Sequence, residues 1–128
     1  MYERRSRQAC DSYRNNSVEM QSQGKLVYML YEGAIRFITQ AKRAVDVQNL
    51  SVAHENIVKA QNIIRELMNT LRLEAGPIAS QLLNLYDYML NQLIQANLKK
   101  TQPELALPLL SEVQDMMEEL AQAWKAIL

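Results

Sequence analysis

The stretch KLVYMLYEGAIRFITQAKRAVDV, residues 25–47, decides the fold. It holds no proline and a single glycine, and Leu26, Leu30, Ala34, Phe37, Ala41 and Ala44 recur at intervals of three and four. That spacing puts them on one face of an α-helix, since each turn takes about 3.6 residues. The helix should begin at about Gly24 or Lys25 and end near Val47, with Asn49 marking the turn. Val27, Tyr31, Ile35 and Ile38 flank the stripe, so the apolar face is broader than the ~100° that docking on one side of a core requires.

The same rule, carried outward, predicts three more helices. Ser51 can cap the second, because its hydroxyl accepts from an unpaired N–H of the first turn. That helix runs to about Glu74, with Ala53, Ile57, Ala60, Ile64, Leu67, Met68 and Leu71 inward. Gly76-Pro77 then opens the third: glycine tolerates the turn, and proline loses nothing at the first helical position. The third helix ends near Lys99-Lys100, whose cations complement the helix dipole. Thr101-Gln102-Pro103-Glu104 has the form of a capping box, but Pro108 would remove a hydrogen bond and clash one turn back. The predicted fourth segment is therefore a short turn over 102–106, then a main helix from Leu107 to Ile127. Val113, Met117, Leu120, Trp124 and Ile127 carry its inner stripe.

Helices over about 24–48, 51–75, 77–100 and 102 or 107–127 make an all-α protein, an antiparallel four-helix bundle in residues 24–128. Residues 1–23 are polar and read as a flexible N-terminal arm, in which Tyr13 and Val18 are the side chains best able to dock.

Composition narrows the function. Acidic and basic side chains balance at 14 each, so no net field draws the chain to nucleic acid or an anionic membrane. No apolar run approaches the ~20 residues of a membrane span, and the arginines at positions 4, 5 and 7 precede no apolar stretch of a secretory signal. Cys10 stands alone, which excludes an intrachain disulfide and suits a reducing, cytoplasmic setting. His54 is the sole histidine, without the His-Glu-x-x-His or paired Glu-x-x-His spacing that would hold a metal. Glu112, Glu118 and Glu119 read as a solvated face, and no glycine-rich phosphate loop exists. Neither catalysis nor a cofactor is expected; the function should be binding.

The third helix shows where. Ile78, Ala79, Leu82, Leu83, Leu85, Tyr86, Met89, Leu90, Leu93, Ile94 and Ala96 cover an arc of about 180°, with Leu83, Leu90 and Ile94 at one edge. Tyr88 and Leu98 fall outside it. Two readings stay open: shoulders packed on neighbouring helices, or a groove left for an amphipathic partner helix. Seven methionines suit the second, because flexible thioethers repack around varied apolar ligands.

Met29-Leu30-Tyr31-Glu32-Gly33-Ala34-Ile35-Arg36-Phe37 and Leu85-Tyr86-Asp87-Tyr88-Met89 resemble signature runs of the flagellin-specific export chaperone (FliS) family. Lys59-Ala60-Gln61 with Ile63-Ile64 and Glu66-Leu67, then Glu74-Ala75-Gly76, Ala96-Asn97, Glu112-Val113 and Ala123-Trp124, are similar to further family blocks in the same order. Tyr13 and Val18 match the Tyr and Val ahead of the first helix. The chain departs at Met20-Gln21-Ser22-Gln23, where the family writes T-A-S-P, and in a longer segment between Asn97 and Glu112.

The resemblance implies a cytoplasmic chaperone that holds the disordered C-terminal segment of flagellin, blocks premature polymerisation and presents it to the flagellar type III export gate. It also implies an N-terminal plug, Tyr13 and Val18, that the client displaces. The expected partner surface is the broad shoulder of the third helix, Leu83, Tyr86, Leu90 and Ile94, with no metal, cofactor, nucleic acid or membrane insertion. Two other readings weigh against it: a structural bundle whose shoulders form a permanent oligomer interface, and an enzyme of unrecognised type. Tyr31 and Tyr86 could equally tether helices through buried hydroxyls.

Overall fold

A computed structural model describes residues 9–71 and 76–128, with side chains placed from Gly24 onward. Four helices follow in order: α1 (Ala9–Asp46), α2 (Leu50–Asn69), α3 (Pro77–Leu98) and α4 (Pro103–Ala126). They pack antiparallel as a closed ring, with α1 against α2 and α4, and α3 against the same two. Helices α1 and α3 face each other across the diagonal. At one end Gln48, with a positive φ of 57°, donates from Nε2 to the Lys100 carbonyl at 3.0 Å, joining the α1–α2 turn to the α3–α4 turn.

Helix boundaries differ from expectation where local chemistry offers more than one solution. The backbone of α1 is helical from Ala9 rather than Gly24. No glycine or proline stands between Ala9 and Gln23 to stop a helix, so polarity alone does not end it. Side chains of Cys10, Tyr13 and Val18 lie outside the described residues, as do the arginines at 4, 5 and 7. The cap of α2 is Asn49, whose Oδ1 accepts from Val52 N at 3.3 Å, and not Ser51. Helix α2 ends at Asn69, with Thr70 as its C-cap, earlier than Glu74, which lies outside the described residues. Gly76 takes the conformation expected of it, φ 108°, and Pro77 opens α3.

Helix α4 is continuous through Pro108, with no break after 106. Pro103 occupies the first turn, and the N-cap Gln102 makes no side-chain cap bond, so the expected capping box is not formed. Pro108 is tolerated because only the Glu104 carbonyl loses its donor, and Glu104 and Pro108 are both exposed to water.

The core is a single cluster. On α1 it uses Val27, Tyr31, Ala34, Ile38, Ala41 and Val45, rotated from the expected stripe: Leu26 is 47% exposed, and Leu30 and Phe37 are half-buried. The apolar arc of α1 contains two overlapping series of threes and fours, and tertiary packing chooses between them. Gly33 permits close approach of α2, since a Cβ there would sit 3.2 Å from Ile63 Cδ1. Ile57, Ile64, Leu67, Met89, Leu93, Leu110, Val113 and Met117 complete the interior. Ile127, expected inward on α4, is 75% exposed beyond the helix end.

Candidate functional site

The two shoulders of α3 meet different neighbours. Tyr88 donates its hydroxyl to Glu112 Oε2 at 2.8 Å, and Gln92 Nε2 donates to Glu112 Oε1 at 2.9 Å. Those contacts fix one shoulder against α4, and the acceptor carboxylate raises the Tyr88 phenol pKa above its ordinary value. Glu112 is thus a half-buried latch between helices, not a freely solvated charge. On the opposite shoulder Asn97 Nδ2 lies 3.0 Å from His54 Nδ1 of α2, so His54 serves the α2–α3 seam.

Register along that seam follows from this contact. In an antiparallel pair, two turns forward on α2 correspond to two turns back on α3. Starting from His54 and Asn97, Gln61 stands opposite Leu90, and Met68 opposite Leu83. Projection at ~100° per residue puts Leu83, Leu90 and Ile94 on the same side of α3 as Asn97. All three are half-buried, as is Met68. The result is a line of partly covered apolar side chains along the seam, on helices whose inner faces are locked in the core.

Tyr86 sits behind that line. It is 1% exposed, Tyr31 is wholly buried, and their hydroxyls lie 2.6 Å apart across the diagonal between α3 and α1. Trp124 completes the cluster in a T-shaped contact with the Tyr31 ring, centroids 5.8 Å apart. Burial, chiefly, and then the hydrogen bond to Tyr86 hold the Tyr31 phenol far above its ordinary pKa; burial also raises that of Tyr86.

Among the described residues no group of three His, Cys, Asp or Glu side chains is placed to hold a metal ion. None of the described helices is long and apolar enough to cross a membrane.

Comparison with known proteins then decides the family. Residues 6–128 match the family described as "Flagellar protein FliS". The chain belongs to the FliS family. It is 36% identical to the flagellar secretion chaperone FliS of Bacillus subtilis strain 168 over 89% of this chain and 81% of that protein. With the FliS of Vibrio cholerae it shares 37% identity over 94% of this chain and 89% of the relative, and with that of Salmonella typhimurium 33% over 88% and 81%. A FliS-family chain is a secretion chaperone and not an enzyme.

Within this FliS fold the four side chains expected on the partner surface divide. Leu83, Leu90 and Ile94 share the α2-facing shoulder. Tyr86 does not join them at the surface; its ring and hydroxyl are committed to the interior, the tether that the paired tyrosines allowed. Sequence reasoning missed the α2 side of the seam, Gln61 and Met68. Its signal was the spacing of His54, Gln61 and Met68, two turns apart each time, which one-helix stripes conceal until a neighbour is assigned.

Proposed function

We propose that this chain is a cytoplasmic export chaperone that receives the C-terminal segment of flagellin along the α2–α3 seam. The observation that carries the reading is the row of half-buried Leu83, Leu90 and Ile94 on one shoulder of α3, in a chain of the FliS family. Such a row, at i, i+7 and i+11 along α3, offers an amphipathic helix apolar contacts without exposing the core. A disordered segment that folds there loses about 2–5 kcal/mol or more in ordering, which burial of its own apolar face must offset. Its assembly surface is covered while bound, which prevents premature polymerisation, and the complex is then delivered to the flagellar type III export gate.

Calorimetry and circular dichroism of this chain titrated with the flagellin C-terminal segment test the reading. One-to-one binding, a gain in helicity and a negative heat-capacity change are expected. No binding, with flagellin polymerising undisturbed, overturns it.

A further inference from the structure

Gln61 is one of two buried polar side chains among the described residues, 7% exposed. The other, Asn56, is satisfied at home: its Nδ2 donates to the Val52 carbonyl at 2.9 Å. Gln61 makes no side-chain hydrogen bond among the described residues, whereas His54, Asn56 and Asn62 along the same helix each have one. A buried carboxamide left unpaired costs more than an ordinary hydrogen bond returns, so an apolar side chain would serve the bundle better. Its place is informative: it stands two turns along from His54, opposite Leu90, in the middle of the α2–α3 seam.

We infer that Gln61 is a specificity-determining residue of the seam, and that its amide pairs with one neutral polar side chain in the apolar stripe of the client. This rests on the reading of the seam as the client surface. A carboxamide both donates and accepts, so it matches another amide or a hydroxyl. Charged groups are disfavoured, because they would be desolvated among Leu83, Leu90 and Ile94. Main-chain groups inside a docked helix are already bonded to each other, which leaves an Asn, Gln, Ser or Thr side chain as the ligand. A client carrying only apolar residues there would leave the amide orphaned and bind less well, which is how a buried polar group rejects wrong partners.

The test uses the whole chain, the flagellin C-terminal segment and Gln61→Met, which keeps length and removes hydrogen bonding. The expected pair of results is a higher Tm for the variant and segment binding weakened about tenfold. Replacing the segment's Asn, Gln, Ser and Thr residues by Ala in turn should reveal one position that matters to the wild-type chain and not to Gln61→Met. Equal affinity of both chains, a lower Tm for the variant, or no coupled position overturns the inference. Failure of the wild-type chain to bind the segment at all overturns the preceding reading instead.

Discussion

A phenol removed from water without a partner is expensive, and Tyr31 and Tyr86 avoid that cost by sharing a hydrogen bond at the centre of the bundle. Tyr86→Phe leaves the Tyr31 hydroxyl without this partner and should destabilise the fold by about 1–3 kcal/mol, seen as a lower Tm. The double variant with Tyr31→Phe, which removes both hydroxyls, should be less damaged than the single one. Titration gives a second readout. Both phenols have pKa values raised above 10.0 in the folded state, so the folded form keeps its protons where the unfolded chain has lost them. Their contribution is complete below about pH 10 and falls above it, by about 1.4 kcal/mol per pH unit for each tyrosine until its folded value is reached. Denaturant melts from pH 9 to 11 should show that decline, and the double variant should flatten it. The pairing was only half legible in sequence: both tyrosines were visible on broad faces, but which faced the interior depended on their neighbours.

At the scale of the element, sequence and structure part company where two local solutions have similar cost. Asn49 and Ser51 are both good N-caps, and the turn geometry selects Asn49. Asn49→Ala should lower stability by about 1 kcal/mol in thermal melts, whereas Ser51→Ala, on an exposed position inside α2, should change it little. Pro108 interrupts hydrogen bonding in α4 without breaking the helix. Pro108→Ala restores a donor to the Glu104 carbonyl and should raise stability by about 1 kcal/mol or more, measured by the same melts. A break at Leu107 would instead make that substitution nearly neutral. Local rules priced the proline correctly, but whether packing of Ala106, Leu110 and Val113 could outweigh it depended on a core that no single helix contains.

For the whole molecule, the ring of helices gives α3 two unlike shoulders, one latched to α4 through Glu112 and one facing α2. Leu83→Ser or Leu90→Ser should weaken binding of the flagellin segment about tenfold or more in calorimetry, with circular dichroism confirming that the bundle stays helical. Tyr88→Phe, on the α4 side, should leave that affinity nearly unchanged. Equal losses on both shoulders would mean that the client does not distinguish them, contrary to the seam proposed for it.

By itself the sequence determined the all-helical class, the number of helices, the Gly76-Pro77 turn and, through ordered blocks such as Met29–Phe37 and Leu85–Met89, the family. These are properties of local periodicity, turn chemistry and residue identity, and each is complete within a short stretch of chain. Only the tertiary structure decided which of two overlapping stripes α1 buries, that Tyr86 lies within while Leu83, Leu90 and Ile94 stay half-buried, and that Gln61 is buried. A helix with apolar residues over half its circumference has no inside until its neighbours are placed, because burial is a property of the pair and not of the strand of sequence that enters it.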